Sequence, residues 1–194
     1  NQTAFVRAYS DRIIDTGLPA VLPIKAEVPG NINKDLMKAG IVPDYNIDLN
    51  SIYGEWVEHR EWVYRKCFSV PENLKGYSNI LCFEGLDYEG EIILNDKVLY
   101  CFKGTFKPVE IDVTNFLRYG GINTLEVLFY PAPEIDGMYG YSSRLTHLKS
   151  RFNYLWDWCV RIVPVGIWDH VYIKSFKKVC FSDIYTRKAL DDRN

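Results

Sequence analysis

From Trp62 onward the sequence breaks into short apolar runs of period two, separated by turn residues roughly every 10–15 positions. This rhythm narrows the possible folds more than any other feature. Trp62, Tyr64, Phe68 and Val70 fall on one face of such a run, interrupted by Lys66. Ile80-Leu81-Cys82-Phe83 is continuously apolar, as a strand buried on both faces is. Gly85-Leu86-Asp87 reads as a turn, and Glu91–Leu94 and Val98–Phe102 flank Asn95-Asp96 as two arms of a hairpin. Val109–Val113, the alternating Leu125, Val127 and Phe129, and Val171-Tyr172-Ile173 add further strands. Thr114–Arg118 reads as a short helical turn closed by Gly120-Gly121. Residues 1–30 read as irregular, broken by Pro19, Pro23, Pro29 and Gly30. One short helix is predicted over Lys34–Ala39, with Asn33 as its N-cap and Gly40 at its C-terminal stop. Many short strands and one marginal helix predict an all-β domain, a jelly-roll β-sandwich with one short helix near the N-terminus.

Composition excludes several classes of function. The 194 residues suit one domain plus a tail: 1–176 as the sandwich and 177–194, which turn charged, as a connector. The chain opens Asn1-Gln2-Thr3 without an initiator Met, as a processed or excised chain does. Lys plus Arg number 23 against 25 Asp plus Glu, a net charge of −2. That balance leaves no basic footprint for nucleic acid and no polybasic run for an anionic membrane. No apolar run approaches the ~18 residues of a helical membrane span. Neither nucleic acid nor membrane is an expected partner. Cys67, Cys82, Cys101, Cys159 and Cys180 are widely spaced, with no CxxC or Cys/His cluster. That spacing argues against a zinc site and against a disulfide scaffold, and it leaves the compartment open. No cofactor and no metal are predicted. His59, His147 and His170 lie far apart in sequence. Phosphate-loop, dinucleotide, zinc-protease and nucleophile-elbow motifs are absent, and no carboxylate pair stands out locally. On chemistry alone the chain reads as a binding or accessory domain.

Aromatic residues make up 15% of the chain, and two segments concentrate them. Residues 54–65 interleave Trp56, Trp62 and Tyr64 with charges. They read as entry into a strand, with Trp62 in the core and Arg65 paired to a carboxylate. The second segment is Arg151-Phe152-Asn153-Tyr154-Leu155-Trp156-Asp157-Trp158, followed by Gly166-Ile167-Trp168. It comes just after residues 131–150, which lack a strand period; loops of that length are commonly functional. A sugar presents C–H faces to an indole and hydroxyl edges to a carboxylate, so Asp157 between Trp156 and Trp158 is suited to sugar contact. The other reading is a buried aromatic cluster, with Asp157 capping a turn or pairing Arg151 or Arg161. On a strand Asp157 points away from both tryptophans, so a common site requires a bulge or loop.

Ordered blocks then add a resemblance. They are Val28-Pro29-Gly30 with Asp35-Leu36, Gly40-Ile41-Val42-Pro43-Asp44, Trp56-Val57-Glu58, and Trp62-Val63-Tyr64-Arg65. Further along come Phe83-Glu84-Gly85-Leu86-Asp87 with Leu94-Asn95, Phe106-Lys107-Pro108, Asp112-Val113-Thr114, Asn123-Thr124-Leu125, Trp156-Asp157-Trp158 and Gly166-Ile167-Trp168. Over residues 28–173 the chain resembles the N-terminal sugar-binding, galactose-binding-like domain of glycoside hydrolase family 2, on its β-mannosidase side. The resemblance implies a jelly roll followed by immunoglobulin-like domains and a (β/α)₈ barrel that holds both catalytic carboxylates of a retaining exo-β-glycosidase. It implies that no catalytic residue lies in this chain, where the family's Asn-Glu dipeptide is absent. The chain on its own is expected to be inactive. It also implies substrate-binding roles: Asp157 on the hydroxyls of a terminal β-linked sugar, with Trp156 and Trp158 as pocket wall. The family motif has Gly before the first Trp and Gly-Pro after the second. Here Leu155 and Cys159-Val160 occupy those positions, and Arg151 stands where Gln is common.

Three functions follow with different structural signatures. An accessory domain of the glycosidase leaves an exposed apolar edge at the Trp-Asp-Trp segment. An autonomous carbohydrate-binding module forms a concave site by itself. A bracing domain buries and pairs Asp157.

Overall fold

Alternate side chains of residues 61–69 turn inward as their period demands, with Trp62 and Tyr64 both buried. The computed structural model describes residues 4–9, 23–134, 146–181 and 184–188. These form strands β1 (Ala4–Tyr9), β2 (Ile24–Ala26), helix α1 (Ile32–Lys38), β3 (Glu61–Ser69), β4 (Ser78–Phe83), β5 (Leu86–Asp87), β6 (Glu89–Leu94), β7 (Lys97–Lys103), β8 (Val109–Asp112), β9 (Ile122–Phe129), β10 (Gly166–Ile167) and β11 (Val171–Phe176). A six-stranded sheet has the order β2-β1-β3-β9-β6-β7. The second layer consists of β11-β4-β8 and the short pair β10-β5. All ladders are antiparallel. The inward faces of β3, β4, β6 and β9 meet in one core around Trp62, Phe83, Ile92 and Phe129. Phe129 takes the rings of Tyr64 and Phe102 edge-on at 5.6 and 5.3 Å. This is the predicted all-β sandwich.

Local chemistry explains the agreements. Asn95 and Asp96 adopt φ of 51° and 66°, the left-handed pair that closes a two-residue hairpin between β6 and β7. β4 is the central strand of its sheet, with Leu81, Cys82 and Phe83 buried and Ile80 half-buried. Arg65 Nε donates to Glu126 Oε1 across β3 and β9 at 2.7 Å, the expected carboxylate partner.

Four local expectations are corrected. The first 30 residues are not wholly irregular: β1 and β2 pair with each other, and β1 adds to β3. Pro23 and Pro29 bracket β2 without entering it, which an edge strand tolerates. Helix α1 starts two residues early because Asn31, not Asn33, is the cap, its side chain accepting the Lys34 N–H at 3.0 Å. Asn33 is buried and donates instead to the Val163 carbonyl. At the other end Gly40 (φ 69°) donates to Met37 and Ile41 to Leu36, a Schellman stop. Leu86-Asp87 is a buried strand whose partner, β10, lies some 80 residues downstream and so escapes local reading. The Thr114–Arg118 segment makes turns on the Val113 carbonyl but no helix. A 3₁₀ run, Asn50–His59, leads into β3.

Asp35 supplies a test of this packing. It is buried on α1, and its Oδ1 accepts the Glu27 N–H at 3.1 Å. Its Oδ2 and the buried Tyr64 hydroxyl lack hydrogen-bond partners among the described residues. Burial raises its pKa to about 6 from an ordinary 3.8. The folded state therefore binds more protons between those values, and stability falls as pH rises through that window. Asp35→Asn keeps the acceptor for Glu27 and removes the buried charge. It is expected to gain roughly 1–3 kcal/mol at pH 7 and to flatten the pH dependence between 4 and 6. Urea unfolding at pH 5 and 7 reads both effects; a variant no more stable than wild type at pH 7 refutes the assignment.

Candidate functional site

The predicted site residues occupy a tight turn. Trp156 and Cys159 exchange backbone hydrogen bonds (N–H to carbonyl 3.1 Å, return bond 3.3 Å), leaving Asp157 and Trp158 at the tip. This is the loop that a common site for all three residues requires. The rings of Trp156 and Trp158 lie 5.5 Å apart, and Phe152 packs on both at 5.4 and 5.6 Å. Arg151 lies over the Trp156 ring at 5.7 Å. Trp158 is 68% exposed, and Phe152, Leu155 and Val160 are exposed beside it. Together they leave an exposed cluster of apolar side chains at the turn. Asp157 is exposed and makes no hydrogen bond or ion pair among the described residues. Arg161 does not pair with it.

Arg161 instead helps to anchor the turn. It forms an ion pair with the buried Glu58 carboxylate, and its other guanidinium nitrogen donates to the Tyr154 carbonyl at 3.2 Å. Tyr154 is fully buried and its hydroxyl donates to the Pro133 carbonyl at 2.7 Å. The Ile162 N–H donates to Asn153, and Ala132 N–H to the Glu58 carbonyl. Segments around residues 58, 132 and 153–162 are thus bound together beneath the turn. Glu58 was readable as a charge within the Trp56-Val57-Glu58 block, but its partner stands 103 positions away.

A second buried connection supports the neighbouring strands. Lys149 Nζ donates to Asp87 Oδ2 at 2.6 Å and to the Pro164 carbonyl at 2.7 Å, while the Thr105 hydroxyl donates to Asp87 Oδ1. Burial pushes the Lys149 ammonium below its ordinary range, against the opposing pull of Asp87. Trp168 does not join the Trp156–Trp158 cluster. Its indole N–H donates to the Thr105 carbonyl at 3.0 Å and its ring meets Phe106 edge-on.

Between the layers lies a cleft of about 440 Å³, lined by apolar side chains such as Phe68, Leu81, Phe83 and Val127 and by Arg65, Lys66, His170 and Tyr172. It includes none of Trp156, Asp157 and Trp158.

Leu155, just before the turn, adopts φ 93°, ψ 129°. A glycine tolerates that backbone and a leucine is strained in it. The loop therefore holds a glycine-like conformation at the position where the resemblance leads one to expect Gly. Leu155→Gly is expected to stabilise the chain by about 1 kcal/mol through relief of that strain. A shift in urea midpoint without a change in slope is the readout; a clear loss of stability counts against it.

Comparison with known proteins agrees with this architecture. The chain is 27% identical over 183 residues to β-mannosidase B of Thermothelomyces thermophilus, covering 88% of this chain and 21% of that protein. It is 29% identical over 176 residues to β-mannosidase B of Emericella nidulans, covering 84% and 21%. The chain thus spans about a fifth of the length of these relatives. The crystal structure of β-D-mannosidase from Dictyoglomus thermophilum superposes with a TM-score of 0.76 at 31% identity, over 90% of this chain and 22% of that one. The exo-β-D-glucosaminidase CsxA shares the fold at a TM-score of 0.69 and 15% identity, over 90% of this chain and 20% of that one. The family model for the glycosyl hydrolase 2 galactose-binding domain-like domain matches residues 10–169, and the chain belongs to that family.

Proposed function

We propose that this chain is the N-terminal, non-catalytic domain of a retaining exo-β-glycosidase that releases a terminal β-mannoside, and that its Trp-Asp-Trp turn completes the sugar pocket of a catalytic barrel. The observation carrying this reading is Asp157, an exposed carboxylate without a partner among the described residues at the tip of an exposed aromatic turn. A bracing role would bury and pair that group. An autonomous module would place the aromatics in a concave site, whereas the cleft between the layers includes none of Trp156, Asp157 and Trp158. A protruding patch fits a surface completed by another domain. Relatives named β-mannosidase B favour mannose as the sugar.

In this reading the barrel contributes nucleophile and general acid/base, and this domain contributes binding alone. Asp157 accepts hydrogen bonds from sugar hydroxyls, Trp156 and Trp158 wall the ring, and Arg161 with Glu58 holds the turn in place. Residues 177–194 lead toward an immunoglobulin-like domain. The test is hydrolysis by the full-length protein of nitrophenyl β-mannoside, β-galactoside, β-glucoside, β-glucuronide and β-glucosaminide. The mannoside is expected to be cleaved fastest. Cleavage of none of them refutes the glycosidase, and preference for another sugar refutes mannose.

A further inference from the structure

The pairing of β4 with β11 sets Phe83 opposite Val171, and one step beyond, the Glu84 N–H donates to the His170 carbonyl at 3.0 Å. Residues opposite each other across antiparallel strands share a face. Glu84 and His170 are thereby brought together from positions 86 apart in sequence, and Asp169 joins them from the bend before β11. One ligand atom from each of the three lies within 4.8 Å of the others. No ring nitrogen of His170 comes within 4.0 Å of either carboxylate as an ion pair. The three side chains converge without an ion pair between them.

That spacing suits a shared ion. Bonds of about 2.0–2.2 Å to a first-row divalent cation set its ligand atoms roughly 3–3.5 Å apart, a spacing that small side-chain adjustments reach from here. Two carboxylates neutralise a divalent charge, and an imidazole beside them selects a transition metal over Mg²⁺ or Ca²⁺. The surrounding shell is already in place. The Tyr172 hydroxyl donates to Glu84 Oε1 at 3.2 Å, and Asp169 Oδ1 accepts the His170 N–H at 2.8 Å. Outer contacts of this kind orient metal ligands. Gly85 permits the close approach, since a Cβ there would stand 2.4 Å from Trp168 Cε2 and 2.8 Å from Asp169 Cβ.

We propose that Glu84, Asp169 and His170 form a binding site for a divalent cation of the Zn²⁺ type, with water completing its coordination. The site shares no residue with the Trp-Asp-Trp turn and ties the end of β4 to the start of β11. No thiolate takes part, and this separates it from adventitious capture by the exposed Cys67, Cys101 and Cys180.

The test is equilibrium dialysis of the full-length protein against Zn²⁺ after chelator treatment, for wild type, Glu84→Gln and His170→Ala, with circular dichroism confirming that each is folded. Each variant is expected to bind one equivalent fewer than wild type, or to hold that equivalent at least tenfold more weakly. With Co²⁺ as the probe, the lost equivalent is expected to carry no thiolate charge-transfer band. Glu84→Gln preserves shape, so it remains decisive if His170→Ala folds poorly. Equal uptake by wild type and Glu84→Gln overturns the site, as does a lost equivalent bearing the thiolate band.

Discussion

Asp157→Ala is expected to lower kcat/KM of the full-length protein for a terminal β-mannoside by about 10- to 150-fold, while leaving the domain folded. The size follows from the ~1.5–3 kcal/mol that a hydrogen bond to a charged group contributes. The separation of activity from stability follows from the geometry. Asp157 is exposed at the tip of its turn and supports no other described residue, so its removal leaves no buried group unpaired. Asp157→Asn retains an acceptor without the charge and is expected to fall between wild type and alanine. Unchanged kcat/KM in the alanine variant would remove this turn from the sugar pocket and reduce its aromatic patch to a docking surface. A loss of folded protein, by contrast, would return Asp157 to a structural role.

The largest effect on stability is expected at Lys149. Its side chain is wholly buried, and its ammonium spans Asp87 and the Pro164 carbonyl. Lys149→Met fills similar space but leaves the Asp87 carboxylate buried with only the Thr105 hydroxyl. Removing one partner of such a pair costs about 3–5 kcal/mol. In a chain of this size that amounts to a fall in melting temperature on the order of 6–20 °C. The paired variant Lys149→Met with Asp87→Asn removes both charges and keeps an acceptor for Thr105. It is expected to recover most of the loss, since an uncharged replacement of a buried pair is often neutral. Denaturant unfolding of the single and double variants measures the difference. A single-variant loss below about 1 kcal/mol would mean that water reaches Asp87 and that the pair is not the clamp described here.

What could be read from the sequence divides along the range of the interactions. The β6–β7 hairpin was legible because its turn residues carry their own backbone preference, and β3 and β9 because one face of each is apolar. The Trp-Asp-Trp segment was legible as an aromatic cluster around a carboxylate, and its turn was the bulge or loop that such a cluster requires. Its anchors were not. Glu58 with Arg161 and Asp87 with Lys149 are charged residues whose significance depends on a partner 103 and 62 positions away. Two-residue strands such as β5 and β10 contain too few side chains to display a period, so only their pairing defines them. The same limit applied at α1, where Asn31 and Asn33 are equally suited to capping and the distant Val163 carbonyl engages one of them. Glu84 and the Asp169-His170 pair became neighbours only through strand register.

The anchoring of the turn has an evolutionary consequence. Tyr154 and Arg161 hold the segment to the body of the domain, and the residues between them carry the exposed tip. Fixed ends with a short span between them make residues 155–160 a replaceable cassette. Selection can exchange side chains there, altering the shape and polarity of the exposed tip, without disturbing the sandwich beneath. Leu155, Cys159 and Val160 all lie within that span, so their side chains can be exchanged while Tyr154 and Arg161 keep the ends in place.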